Sequence, residues 1–208
     1  MKRSAIVLMI ALAVGLPALP RAARAQDVQF GLKAGGNMAR PTGIDARDPM
    51  TALKTKTGFT GGLFLVLNFG QVVSVQWEAL YTMKGAAYAA LDGSFTDKLY
   101  ADYIEVPLLL KLRLPTAVVQ PFVFAGPTVG FKLKEKFQAN GEDVPLGRAV
   151  LKNNDYGVLF GAGLNLGREF MVDLRYSLGM QKVIAIAQGE VQPDYRNGVL
   201  SATLGIVF

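Results

Sequence analysis

The sequence predicts an all-β fold, an eight-stranded antiparallel up-and-down transmembrane β-barrel. Three observations predict it. Eight segments alternate between an apolar face and a face that holds nearly all the charged and polar residues. No charge falls on the apolar face of any of them except at the segment ends, where Asp102 and Lys182 lie. Tight turns and long connections alternate between the segments. A strand sends successive side chains to opposite faces, so a period of two marks a strand with different surroundings on its two sides. A soluble barrel would hide its greasy set inside. Here the charged set is the smaller one and needs a small enclosed space, which fits lipid outside and a polar lumen inside.

The segments run over 28–39, 58–69, 72–86, 101–114, 120–134, 155–167, 169–182 and 197–208. The first turns Phe30, Leu32 and Met38 outward, and the second Phe59, Leu63, Leu65, Leu67 and Phe69. The third presents Val73, Val75, Trp77, Tyr81 and Met83, and the fourth Ile104, Val106, Leu108, Leu110 and Leu112. The fifth has Val123, Val129, Phe131 and Leu133, and the sixth Tyr156, Val158, Phe160, Leu164 and Leu166. The seventh has Phe170, Val172, Leu174, Tyr176, Leu178 and Met180. The last runs in steps of two from Leu200 to Phe208. A charge at such a position near the bilayer midplane would cost ~2–4 kcal/mol, and none is present. Pro107 and Pro127 interrupt two central segments. Each removes a ladder donor, so bulges or locally broken pairing are expected there.

Gly70-Gln71, Pro115 to Val119 and Gly167-Arg168 read as short turns, whereas 40–57, 87–100, 135–154 and 183–196 read as long loops. Short turns at one end and long loops at the other place both termini in the periplasm. Phe30, Phe69, Phe170 and Phe208 would then mark the periplasmic interface, and Phe59, Tyr81, Phe131 and Tyr156 the outer one.

Inward positions carry Lys33, Glu78, Glu105, Lys111, Arg113, Asp173 and Arg175, together with Asn37, Gln76 and Ser177. Lys84, Lys132 and Lys134 fall nearer the outer rim. An eight-stranded barrel leaves room for little beyond side chains. Buried charges must pair or cost several kcal/mol per ion, so the seven charged residues are expected to interlock as an ion-pair plug. Arg113 and Arg175 are the expected bidentate partners, because guanidinium matches carboxylate geometry.

Residues 1–25 read as a cleaved secretory signal peptide. Lys2 and Arg3 form a basic start, Ala5 to Leu16 an apolar stretch, and Ala23-Arg24-Ala25 a small-residue cleavage site. Residues 26–208 then form one barrel domain. The whole chain has a net charge of +6, but the leader holds four of its 22 basic residues and no acid. The remainder carries 18 basic against 16 acidic residues, a net of +2, which gives no support to nucleic-acid binding. With neither His nor Cys, the chain lacks the usual base, thiol nucleophile and transition-metal ligands. No catalytic residue, metal or cofactor is expected.

Several stretches carry a family resemblance: GLKAGGNMA (31–39), YIEVPLLLKLRL (103–114), PFVFAGPTVGFKLK (121–134), YGVLFGAGLNL (156–166), VDLRYSLGM (172–180) and LSATLGIVF (200–208). The chain resembles the small outer-membrane β-barrel proteins of the porin-family/PorT-like family. The resemblance implies the outer membrane of a Gram-negative bacterium and little about activity. One branch of that family takes part in protein secretion across the outer membrane, and no motif here points to that branch. The end of the chain at Phe208 looks like the signal read by the barrel assembly machinery.

The expected function is a monomeric barrel with a plugged polar lumen, serving envelope integrity or surface interaction through its long loops. The expected partners are outer-membrane lipid and lipopolysaccharide. Two alternatives are a narrow porin-like channel and an accessory part of an outer-membrane secretion system. A channel would favour a ring of like-signed inward charge, and the inward charge is mixed.

Overall fold

The computed structural model describes residues 27–42, 51–90, 96–116, 118–144, 153–180 and 196–208. The expected signal peptide and the 183–195 part of the last long loop lie outside them. The strands are β1 (Asp27–Thr42), β2 (Thr51–Lys54), β3 (Lys56–Phe69), β4 (Val73–Ala90), β5 (Thr96–Arg113), β6 (Val119–Ala139), β7 (Glu142–Val144), β8 (Asn154–Leu166), β9 (Phe170–Gly179) and β10 (Arg196–Val207). Around the wall the order is β4-β3-β1-β10-β9-β8-β6-β5, and β5 pairs with β4 to close the circle. Every pairing is antiparallel. A second seam joins the first and last strands, β1 and β10, from Gly31 opposite Val207 to Thr42 opposite Arg196. This is a closed eight-stranded antiparallel β-barrel, with β2 added to the far end of β4 and β7 to the far end of β6.

The alternation in the sequence becomes an alternation in exposure. Along β9, Met171, Asp173, Arg175, Ser177 and Gly179 are buried, while Phe170, Val172, Leu174 and Leu178 are exposed. Leu67 departs from its set: it shares the parity of Leu63 and Leu65, yet only 6% of it is exposed.

Three neighbouring strands are much longer than a membrane requires. β4 and β5 have 18 residues each and β6 has 21, whereas β8 has 13 and β9 has 10. At ~3.3 Å per residue and ~40° of tilt, β5 and β6 rise roughly 45–53 Å, against an apolar band of ~25 Å. One side of the barrel therefore continues as a wall above the long-loop end. The expected loops at 87–100 and 135–154 are consequently strand over much of their length. Asn140 (φ 50°) and Gly141 (φ 87°) close the β6–β7 hairpin. Positive φ at both central residues is what an Asn-Gly turn between twisted strands supplies.

The prolines break ladders without shifting them. On the β4 side of β5, Glu78 and Ala79 face Val106 and Pro107 unpaired. On the β6 side, Leu108 and Leu109 face Gly126 and Pro127 unpaired, and the register is the same before and after both gaps. The one register shift between β5 and β6 lies elsewhere, between Asp102 and Tyr103, and leaves Leu133 as the extra residue. Beyond that bulge Lys134 is exposed, which corrects its expected inward place at the rim.

Candidate functional site

The lumen holds the site. Lys33 on β1, Glu78 on β4, and Asp173 and Arg175 on β9 meet at mid-height. Lys33 Nζ lies 2.8 Å from Glu78 Oε1 and 2.9 Å from Asp173 Oδ2. Arg175 Nη1 lies 2.5 Å from Glu78 Oε2, and Arg175 Nε lies 2.7 Å from Asp173 Oδ1. β4 and β9 stand four strands apart in a ring of eight, so the Arg175–Glu78 pair crosses the full width of the lumen. Gln76 Nε2 adds a donor to Glu78 Oε1, and Arg175 Nη2 donates to Asp173 Oδ2 at 2.9 Å. All four carboxylate oxygens are engaged, two cations against two anions. None of the four charged side chains is more than 3% exposed.

A second cluster lies nearer the long-loop end. Lys84 Nζ on β4 reaches Glu105 Oε1 on β5 at 2.7 Å and Asp155 Oδ2 on β8 at 3.0 Å. Its ammonium also lies 5.1 Å from the centre of the Tyr103 ring. Lys56, expected in the loop 40–57, begins β3 instead. It is buried, donates to Lys84 O at 2.7 Å and sits 4.1 Å over Tyr100.

The seven charged residues expected to interlock therefore do not form one unit. Lys33, Glu78, Asp173 and Arg175 come together, and Glu105 belongs to the separate Lys84 cluster. Lys111 and Arg113 join neither. Lys111 Nζ lies 3.6 Å over the Phe122 ring, and Arg113, expected as a bidentate partner of a carboxylate, donates from Nη2 to Gly70 O at 3.0 Å. The physical reason is position. Both lie at the short-turn end, below the level of the carboxylates, where the inward neighbours are Phe122, Phe124, Ser74 and Asn165.

The interior is also less polar than its charges suggest. Phe64, Val66, Leu109, Phe122, Phe124, Leu159 and Met171 form an apolar layer within it. Three of these rings rest over glycines of the adjoining strand. A Cβ at Gly31, Gly163 or Gly161 would fall 2.4, 2.5 or 2.6 Å from the ring tip of Phe64, Phe122 or Phe124. Phe122 and Phe124 share the inward parity of Thr128, and that parity was the available signal for them. Lys84 gave less warning, because the sequence placed it at the rim, and Asp155 was not singled out, though it shares the inward parity of its segment.

Of the aromatic set, Phe30, Phe170 and Phe208 stand exposed at the short-turn end, with Phe69 partly buried beside them. The Phe30 and Phe208 rings lie 5.6 Å apart across the seam. Toward the other end Phe59 and Tyr156 are exposed, and Tyr81 and Phe131 are partly so. At the tip of the wall, Lys136 Nζ lies 2.7 Å from Asp143 Oδ2, and Gln138 donates to Asp143 Oδ1 at 2.9 Å. These hydrogen bonds, Lys136 first, hold the Asp143 carboxyl below the usual carboxylate range.

The family profile described as "Outer membrane protein beta-barrel domain" matches residues 24–185. The chain belongs to this family. It is a small outer-membrane β-barrel protein. Solved structures similar to it include Ail, the attachment invasion locus protein of Yersinia pestis, in complex with the heparin analogue sucrose octasulfate. That chain is 18% identical, with 88% of this chain and 100% of that one covered and a TM-score of 0.47. Neisserial surface protein A is 17% identical over 88% and 100%, with a TM-score of 0.47. OprG from Pseudomonas aeruginosa is 13% identical over 89% and 98%, with a TM-score of 0.48. No relative among curated proteins matches the chain.

Proposed function

We propose that this outer-membrane barrel is closed to solutes by its own side chains and works from its outer surface, in envelope integrity or surface interaction rather than in catalysis. The observation that carries the reading is the Arg175–Glu78 pair, which spans the lumen between opposite strands while Lys33 binds Glu78, Asp173 binds Arg175, and Lys33 and Asp173 bind each other. An ion passing this level would have to displace charge-assisted hydrogen bonds that leave no carboxylate oxygen spare. Among the described residues, the lumen has no ring of one sign to draw ions in. The outer surface offers what the lumen does not: the tall wall of β4, β5 and β6, tipped by the β6–β7 hairpin and its exposed Lys136, Glu142 and Asp143.

Single-channel recording of the refolded barrel in a planar bilayer tests the plug. Silent, inserted barrels are the expected result. Reproducible open steps, with a selectivity that changes in Lys33→Met, would overturn it and make the charged interior a passage.

A further inference from the structure

Two cations of the lumen lack an acid. Lys111 is 3% exposed, and its ammonium has Asn165 Oδ1 at 3.5 Å, Met171 Sδ at 4.0 Å and the Phe122 ring as neighbours. Arg113 follows two residues later on the same face of β5, so the two side chains start ~7 Å apart. Its Nη2 is bound to Gly70 O, while its Nε is buried with no partner. Among the described residues, no carboxylate lies within 4.0 Å of either. The nearer acids are committed, because every oxygen of Glu78 and Asp173 is held by Lys33 or Arg175. Asp27 acts on Arg113 only through space and accepts from Asn68 at 3.3 Å. A buried ammonium over an aromatic ring keeps part of its lost hydration through the ring, but two neighbouring cations with no anion remain costly.

We propose that the short-turn mouth of the lumen is an anion site, in which Lys111 and Arg113 together take a phosphate group. The proposal rests on the barrel reading above, which opens this mouth to the periplasm. Tetrahedral phosphate oxygens suit the pair. One accepts from the point charge of Lys111, and another accepts from the unused Nε edge of the Arg113 fork. Asn165 can supply an amide donor from β8. Phe122 and Phe124 stand opposite Arg113 and Lys111 and narrow the lumen at that level, so the ligand docks at the mouth and does not pass through. The phosphate can be free in solution or carried by a lipid headgroup at the periplasmic rim.

The test uses the refolded barrel in a phosphate-free maltoside detergent, with thermal unfolding read by the fluorescence of the single tryptophan, Trp77. In one arm inorganic phosphate is compared with chloride at equal ionic strength. In the other, a short-chain phosphatidylglycerol is added in chloride. At tenfold over its dissociation constant, a ligand of the folded state alone raises the midpoint by roughly 3–6 °C. That rise is expected in the wild type, should vanish in Lys111→Met and Arg113→Gln, and should survive in Lys136→Met on the wall. A response to inorganic phosphate alone assigns the site to the free anion, and a response to the lipid alone assigns it to a headgroup. Lys111→Met should also be more stable than the wild type in chloride, because it removes an unpaired buried charge. A wild type that answers neither arm, or variants that answer like the wild type, would overturn the site. A heat-sensitive gel mobility, checked first in every sample, reports a folded barrel independently, so loss of the barrel reading would be seen separately.

Discussion

Replacing Glu78 by Gln gives the sharpest test of the mid-lumen cluster. The substitution keeps the volume and removes one charge. Glu78 now receives Lys33 at 2.8 Å, Arg175 at 2.5 and 3.2 Å, and Gln76 at 2.5 Å. Without its carboxylate, Lys33 and Arg175 share Asp173 alone, and a net positive charge is left among side chains no more than 3% exposed. Breaking one member of a buried pair costs ~3–5 kcal/mol. With a urea slope of ~2 kcal/mol/M, the unfolding midpoint falls by roughly 1.5–2.5 M. The assay is urea titration of the barrel in lipid vesicles. Trp77 reports it well because it is the neighbour of Glu78 on β4 and faces the opposite way. Two comparisons make the result specific. Glu142→Gln, exposed on β7, should change the stability by no more than ~0.5 kcal/mol. Glu78→Gln combined with Arg175→Met leaves Lys33 facing Asp173 as a neutral pair. The double variant should therefore lose less than its two singles together, by ~0.5–3 kcal/mol. Equal shifts for Glu78→Gln and Glu142→Gln, or strict additivity in the double variant, would refute the reasoning.

Leu174→Arg puts a charge on the lipid face and should cost ~2–4 kcal/mol or stop insertion, read as the folded fraction in vesicles. Ser201→Arg, buried on the inside opposite Arg175, should still insert and instead lower the urea midpoint; identical behaviour of the two would contradict the lipid-out assignment. Gly126→Ala should destabilise the seam between β5 and β6, because a Cβ there would lie 1.9 Å from Leu108 O, and an unchanged midpoint would count against that close approach. The Asp143 carboxyl, held low by Lys136 and Gln138, favours the hairpin above the ordinary carboxylate pKa, and this contribution is lost as pH falls through the lowered folded value. Carbon NMR of Asp143 should show that low titration and its return to the ordinary value in Lys136→Met; no change in that variant would remove Lys136 as the cause.

The barrel was legible because lipid reads parity. Each outward side chain must be apolar or small, and eight segments obey that rule independently. The wall was not legible for the same reason in reverse. Above the membrane the outer face of β4, β5 and β6 no longer meets lipid and need not be apolar, so residues 87–90 and 135–139 look like loop, although Ala87 and Leu99 are buried on the inner face. Parity put Lys33, Glu78, Asp173 and Arg175 in one enclosed space, and the structure brings them into contact. Parity carries no height, however. It could not tell that Lys111 and Arg113 sit below the carboxylates, or that Lys84 and Asp155 sit deep enough to bury. Those facts depend on strand stagger, which is set by register around the whole ring. The prolines were visible as missing donors, but only the pairing shows that the sheet tolerates them as gaps and not as bulges.

The charged lumen also constrains how such a sheet can enter a bilayer. Before β1 meets β10, the inner face of the growing sheet presents Lys33, Glu78, Asp173 and Arg175 to whatever lies beside it. A flat, open sheet at the bilayer core would expose them to hydrocarbon. The partners that neutralise one another lie up to 140 residues apart in the chain, and they can meet only as the sheet curls. Insertion and ring closure are therefore one coupled event for this protein. Its interior charge acts as a toll on half-closed intermediates, lifted when the first strand finds the last.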